Sequence, residues 1–154
     1  GAHLAPVATQ QLIETGAPTP SHQLLIYPVP DYRKGDYPSM ELFSEGFFLD
    51  GTLLTWFSEQ FLQGYEDFSD PRVSPIAYPD LGEMPPAYVV TAGFDPLRDK
   101  GEAYVEALAD ADVRVEHHSC DTLIHGFVTQ PGIIEAADRT MSDIGEGFRD
   151  FWDS

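Results

Sequence analysis

The sequence predicts an α/β protein in which a mostly parallel sheet is flanked by helices and carries a helical insertion. Two runs, residues 23–28 and 87–92, are continuously apolar, as in strands that are covered on both faces in a parallel sheet. Helical patterns lie before, between and after these runs, which indicates helices packed on the sheet. Residues 29–85 separate the two runs and far exceed the roughly dozen residues that a plain crossover requires.

The first element is predicted to be a helix over residues 1–15. Leu4, Val7, Ala8 and Leu12 recur at three- and four-residue steps, and Gly16 is a typical helix stop. Pro6 must therefore lie in the first turn or kink the helix. The strand at 23–28 follows after a short loop.

Residues 29–85 are predicted to be an insertion that contributes to a cap over a pocket. Six prolines interrupt this segment, and aromatic residues are frequent in it. Asp50 is suited to cap a helix that Gly64 would close. The apolar face of this helix would comprise Leu53, Leu54, Phe57, Phe61 and Leu62. An aromatic-rich insertion at the active end of such a sheet predicts an apolar pocket. Most of these aromatics are expected to pack in the core, and one or two to contact ligand.

The second strand is expected to end at Gly93, where the chain can turn, and Asp95 follows. Asp99 and Glu102 form the Asp-x-x-Glu pattern of a helix N-terminus, which predicts a helix over about 100–111. In open α/β sheets, functional groups lie beyond the carboxyl ends of strands, which makes Asp95 a candidate acid. On local pattern alone, the alternative that Asp95 is simply a turn former is the stronger.

The remaining chain predicts one more strand and one more helix. Residues 113–117 alternate apolar and polar, as in an edge or near-edge strand, and residues 119–124 are expected to form a loop before His125. A helix over about 134–152 is predicted to dock on the sheet. Its apolar stripe would be formed by Ala137, Met141, Ile144, Phe148, Phe151 and Trp152.

The composition limits the classes of function. The 154 residues, 42% of them hydrophobic, suffice for one domain with a core, and no apolar stretch is long enough to predict a membrane span. A net charge of −18 disfavours nucleic acid as a partner. The scattered acids favour a solvated acidic surface, which leaves open a saline setting or a molecule whose other half is less acidic.

Neither cysteine nor histidine usage predicts a metal site. Cys120 is the only cysteine, which favours a reducing, cytoplasmic setting. His117 and His118 are adjacent, so in a strand they would point to opposite faces and would not share a metal.

Asp95 and His125 are candidates for one catalytic pair. Each follows a predicted strand of the sheet, and both loops are expected to open at the same edge. A carboxylate that accepts the imidazole N–H fixes the tautomer and stabilises the imidazolium that forms during proton transfer. The order acid, then histidine, is also the order in α/β-hydrolases, where both follow the nucleophile.

Five segments resemble the C-terminal half of hormone-sensitive-lipase-like esterases, the bacterial family IV group of α/β-hydrolases. They are QLLIYP (23–28), GFFLD (46–50), DPRVSP (70–75), PPAYVVTAGFDPLRD (85–99) and IHGF (124–127). The resemblance spans nearly the whole chain and implies that Asp95 is the triad acid and His125 the base. It also implies an α/β-hydrolase fold, no cofactor, and esters of short or medium acyl chains as substrates. Leu97, Ile124 and Phe127 flank the two loops and are candidates for substrate contacts.

The nucleophile motif of this family, Gly-Asp-Ser-Ala-Gly, has no match within the chain. The residues from Gly1 to Ala5 resemble those just after the serine, so the resemblance places the nucleophile two residues upstream of Gly1. Ser39, Ser74 and Ser119 lie in no such motif and are assigned no catalytic role.

The prediction is therefore a carboxylic-ester hydrolase of which residues 1–154 form a single-domain part, inactive without the nucleophile-bearing upstream half. Two alternatives stay open. One is a non-catalytic member of the superfamily that binds small molecules, since fold alone does not settle function. The other is an inactive truncated fragment that needs a partner chain to cover its open sheet edge. The expected partners are a small ester and the upstream half, and a homo-oligomer stays open.

Overall fold

The computed structural model describes residues 1–154 and contains a three-stranded parallel sheet. Its strands are β1 (Gln23–Ile26), β2 (Ala87–Phe94) and β3 (Val115–Ile124), in the order β1-β2-β3. The register pairs Leu25 with Val89 across β1 and β2, and Ala92 with Cys120 across β2 and β3. The predicted parallel sheet with flanking helices is confirmed.

Five helices surround the sheet: α1 (Leu4–Thr15), α2 (Pro38–Leu42), α3 (Gly51–Leu62), α4 (Arg98–Asp110) and α5 (Glu135–Asp153). Short 3-10 turns occur at Pro75–Ala77, Leu81–Glu83 and Phe127–Thr129. Helices α2 and α3 lie in the insertion between β1 and β2, as predicted.

Alternate side chains of the central strand β2 enter two separate cores. Tyr88, Val90 and Ala92 pack with Ile144 and Phe151 of α5 on one face. On the other face, Ala87 and Val89 pack with Leu25 and with two side chains of α4, Tyr104 and Leu108. Because β2 is covered on both sides, its side chains are almost all buried. Leu24 of β1 is 40% exposed, contrary to the expectation of cover on both faces, because α5 packs over β2 and β3.

The predicted helix near the N-terminus is confirmed in its main features. Pro6 is the third residue of α1, so it lies in the first turn and its missing N–H removes no helical hydrogen bond. Gly16 adopts a left-handed conformation with φ 67° and ends the helix.

Helix α3 begins as predicted but does not pack in the core. The Asp50 side chain accepts a hydrogen bond from the backbone N–H of Leu53 at 2.8 Å, which confirms the predicted cap. The helix has no buried residue, and Trp56 and Phe57 are 52% and 53% exposed. The expectation that most insertion aromatics fill the core is therefore wrong for this helix.

Gly93 does not form the turn that the sequence predicted. Strand β2 continues through Gly93 to Phe94. A Cβ at this position would lie 2.0 Å from the backbone oxygen of Asp121, so glycine is needed here because β3 approaches closely.

Residues 119–124 belong to β3 rather than to a loop. Ala92 pairs with Cys120 and Phe94 with Ile124, so residues 121–123 of β3 lie opposite the single residue Gly93. This bulge interrupts the alternation of apolar and polar side chains, which is why the sequence pattern did not reveal the rest of the strand. The edge position predicted for the strand is confirmed for the described sheet.

The predicted capping role of Asp99 is also wrong. Helix α4 begins at Arg98 with no side-chain cap, and the Asp99 carboxylate instead accepts a hydrogen bond from the backbone N–H of Ser39 at 2.7 Å. Helix α5 agrees with its prediction within one residue at each end. In its predicted stripe Ala137, Ile144 and Phe151 are buried, whereas Trp152 is half exposed.

Candidate active site

Three polar side chains directly follow the carboxyl ends of the three strands. Tyr27 comes after β1, Asp95 after β2 and His125 after β3. Because parallel strands direct their carboxyl ends to one edge of a sheet, these three residues meet there, where functional groups of α/β folds usually lie.

The imidazole of His125 and the carboxylate of Asp95 form a hydrogen bond. Nδ1 of His125 lies 2.7 Å from Oδ2 of Asp95. A carboxylate is an acceptor, so Nδ1 carries the proton and Nε2 is left as an acceptor in the neutral imidazole. The Asp95 side chain is fully buried, whereas the His125 side chain is 20% exposed. The pair therefore combines a buried carboxylate with a partly accessible imidazole.

The loop after β2 fixes the Asp95 side chain with its own backbone. Oδ1 of Asp95 accepts a hydrogen bond from the N–H of Leu97 at 2.8 Å, and the carbonyl of Asp95 accepts one from the N–H of Arg98 at 3.0 Å. Pro96 restricts the backbone between them. One carboxylate oxygen is thus held by the loop, and the other is directed at His125.

The backbone conformation after His125 requires a glycine, Gly126. Its φ is 84°, a region that L side chains rarely adopt, and a Cβ there would lie 2.9 Å from the Phe48 ring. The turn directs His125 back towards Asp95 while Phe48 of the insertion covers the loop.

Tyr27 packs against the histidine from the side of β1. The ring centroids of Tyr27 and His125 are 4.2 Å apart, with the planes tilted by 47°. Tyr27 has φ 39°, an unusual value for a non-glycine residue. Burial and the nearby Asp95 carboxylate raise the pKa of the Tyr27 hydroxyl, so it is protonated at neutral pH.

A cavity of about 290 Å³ opens beside His125. It is lined largely by apolar residues from the start of the chain, from the end of β1, from the insertion and from the loop after β2. Leu54 and Phe57 of α3, which belong to the insertion, are among them.

Of the three predicted substrate contacts, the structure brings one to this cavity. Leu97 lines it and is itself largely buried. Phe127 is fully buried in the core beside α5, and neither it nor Ile124 is among the lining residues. Phe127 instead contacts the Tyr27 ring edge-on, with centroids 5.8 Å apart.

Sequence reasoning missed two residues of this region, Tyr27 and Lys100, both of which line the cavity. The position of Tyr27 at the carboxyl end of a predicted strand was an available signal. Lys100 is the third residue of α4, and a lone lysine at a helix start gives no signal of burial.

No group of three or more histidine, cysteine or acidic side chains in the structure could hold a metal ion. His117 and His118 contact different partners, the hydroxyls of Thr91 and Tyr88. None of the helices has the length and apolar character needed to cross a bilayer.

A family model described as the alpha/beta hydrolase fold matches residues 1–129. The chain belongs to the α/β-hydrolase fold family. The chain is 42% identical over 114 residues to the carboxylic ester hydrolase LipN of Mycobacterium tuberculosis, covering 73% of the chain and 30% of LipN. It is 32% identical over 150 residues to ethyl acetate hydrolase of Pseudomonas putida, covering 97% of the chain and 47% of that enzyme.

A solved hyperthermophilic esterase from the archaeon Pyrobaculum calidifontis has the same fold, with a TM-score of 0.88 and 33% identity. The match covers 98% of this α/β-hydrolase chain and 50% of the esterase. The chain thus spans half or less of the length of these relatives. The predicted fold and the resemblance to esterases of this fold are confirmed, and carboxylic-ester hydrolysis is supported at the level of the family.

Proposed function

We propose that this chain is part of a serine carboxylic-ester hydrolase in which Asp95 and His125 are two members of a Ser-His-Asp triad. The observation that carries the proposal is the 2.7 Å hydrogen bond from Nδ1 of His125 to a fully buried carboxylate, beside an apolar cavity. A buried acid that accepts this proton keeps Nε2 basic and stabilises the imidazolium.

In the proposed reaction, His125 transfers protons and Asp95 orients the His125 imidazole. Nε2 accepts the proton of the serine hydroxyl as its oxygen attacks the ester carbonyl carbon, then donates that proton to the oxygen of the leaving alcohol. Water next attacks the acyl-enzyme and gives a proton to Nε2. The bond between the acyl carbon and the serine oxygen breaks, and the carboxylic acid is released. The proton on Nε2 returns to the serine oxygen. These steps need no cofactor.

The serine would be contributed by sequence that precedes Gly1, or by a partner chain that carries it. Gly1, Ala2 and His3 line the same cavity as His125, which supports a nucleophile close to the start of α1. The unpaired N–H groups at the start of a helix can also stabilise the anionic oxygen that forms during acyl transfer.

The cavity favours small esters with apolar acyl chains. Its volume of about 290 Å³ and its predominantly apolar lining match short or medium acyl groups. We assign the acyl substrate class on this basis and on the activities for which the relatives are named, which include ethyl acetate hydrolysis. The narrower assignment to the hormone-sensitive-lipase-like group rests on the motifs at 85–99 and 124–127.

The proposal is tested by comparing residues 1–154 alone with the same chain extended upstream to include a serine motif. We expect the extended protein to hydrolyse p-nitrophenyl acetate and butyrate with an acyl-enzyme burst, and the isolated chain to be inactive. An extended protein that binds these esters without turnover would instead be the non-catalytic binder.

A further inference from the structure

Lys100 is a buried cation that lines the same cavity as His125. It lies in the first turn of α4 and is 8% exposed. Its Nζ donates a hydrogen bond to the backbone oxygen of Asp31 at 2.7 Å, and lies 5.8 and 5.4 Å from the ring centroids of Tyr32 and Tyr37. The carbonyl uses one of three N–H donors, and the rings interact with the positive charge.

The carboxylate of Asp31, whose backbone oxygen Lys100 contacts, already has other partners. Oδ1 of Asp31 accepts hydrogen bonds from Nε and the backbone N–H of Arg33, at 2.9 and 2.8 Å. Oδ2 accepts from Nη2 of Arg33 at 3.0 Å and from the Tyr37 hydroxyl at 2.7 Å. Arg33 therefore forms the ion pair with Asp31, and Lys100 forms no salt bridge with a carboxylate. A buried charge in this state is unfavourable unless another group pairs with it.

The cavity that Lys100 lines carries positive charge, although the chain as a whole is strongly acidic. Of 26 acidic residues in the sequence, none lines the cavity, and Lys100 is its only lysine or arginine. Met40, Leu49 and Leu97 provide apolar walls, and His125 lies at the same cavity. A mostly apolar site with one cation selects ligands that carry one negative charge beside an apolar body.

We propose that Lys100 is a specificity-determining residue that binds the carboxylate of a substrate carrying a single negative charge in addition to its ester. The substrate class is monoesters of dicarboxylic acids or O-acylated hydroxy acids with a free carboxylate. This inference rests on the proposed ester-hydrolase function. The carboxylate supplies the missing counter-ion, and the Tyr32 and Tyr37 rings help to hold the ammonium in place.

The test uses the full-length protein and pairs of esters that match in shape and differ in charge. Monoethyl succinate is compared with ethyl 4-methylpentanoate for an acyl-side carboxylate, and acetoxyacetate with isobutyl acetate for an alcohol-side carboxylate. For each pair, the kcat/KM for the charged ester is divided by the kcat/KM for the neutral ester. We expect this ratio to be at least tenfold lower in Lys100→Met than in wild type for at least one pair. An unchanged ratio for both pairs overturns the proposal, and hydrolysis of none of the four esters by wild type overturns the proposed function instead.

A second measurement needs no variant and therefore stands if Lys100→Met does not fold. N-ethylsuccinamate and N-ethyl-4-methylpentanamide are amide counterparts of the first ester pair, and N-acetylglycine and N-isobutylacetamide of the second. In wild type we expect the anionic amide of the preferred pair to inhibit neutral-ester hydrolysis with a Ki at least tenfold lower than its neutral partner. Equal or weaker inhibition by both anions contradicts a cationic subsite.

Discussion

The ring of Tyr27 packs on the imidazole of His125 with 4.2 Å between centroids, while Asp95 holds Nδ1 of the same imidazole at 2.7 Å. The two contacts restrain different motions of the histidine. The hydrogen bond fixes the position of Nδ1. The tyrosine ring limits rotation of the imidazole away from the cavity.

We therefore expect Tyr27→Ala to lower kcat of the full-length protein by roughly 10- to 100-fold, since a misplacement of about 1 Å can cost 10²-fold. Tyr27→Phe keeps the ring and should lose less. Steady-state kinetics on p-nitrophenyl butyrate separate the effect on kcat from that on KM. Equal losses in both variants would point to the hydroxyl rather than the ring.

The buried carboxylate of Asp95 should be needed for its charge and not only for its shape. Asp95→Asn replaces an acceptor that faces Nδ1–H by an amide, which favours the wrong histidine tautomer. We expect kcat to fall by about 10⁴-fold, as for the equivalent change in a serine-protease triad. Asp50→Asn is the matched control because asparagine also caps helices well. Asp95→Asn activity within tenfold of that control would contradict the orienting role.

The close approach of β3 to Gly93 predicts that a larger residue at this position lowers the stability of the fold. Gly93→Ala places a Cβ 2.0 Å from the Asp121 carbonyl oxygen and forces the strands apart. We expect the free energy of unfolding to fall by about 1–3 kcal/mol or more, as for other overpacked sites. Urea denaturation measures the change.

Gly145→Ala is the control for that substitution. It lies within α5, and a Cβ there meets nothing within 4 Å, so the variant should be more stable by about 0.5–1 kcal/mol. Equal effects of the two substitutions would contradict the close contact between the strands.

Asp31 should make stability depend on pH in the acid range. Burial raises the pKa of its carboxyl, but hydrogen bonds from Arg33 and Tyr37 outweigh burial and lower the pKa below its usual 3.8. Because the folded pKa is lower than the unfolded one, this stabilisation is present above about pH 4 and is lost as the pH falls through the folded pKa.

Asp31→Asn should therefore lower the free energy of unfolding by about 2 kcal/mol at pH 7, since its partners include a charged group. The difference from wild type should narrow below pH 4. Asp36→Asn, at an exposed position of the same loop, should have no such effect. A difference that stays constant from pH 7 to pH 3 would contradict the role of the Asp31 charge.

The pairing of Asp95 with His125 could be predicted from sequence because each directly follows a strand of one parallel sheet, where position along the chain determines position at the edge. Tyr27 obeys the same rule but was not recognised, since its ring contact depends on a φ of 39° that no pattern encodes. The end of β3 was missed because the bulge opposite Gly93 breaks the alternation. The burial of Lys100 depends on a loop that starts some 70 residues earlier, so only the three-dimensional structure reveals it.

The central claim is that Nε2 of His125 carries the proton in ester hydrolysis. The most direct measurement is kcat/KM of the full-length protein for p-nitrophenyl butyrate in His125→Gln, beside His118→Gln, whose histidine contacts Tyr88 on β2. The account predicts a loss of at least ~10³-fold for His125→Gln, as expected when a triad base is removed, and wild-type activity for His118→Gln. Hydrolysis that survives His125→Gln within tenfold of wild type would contradict it.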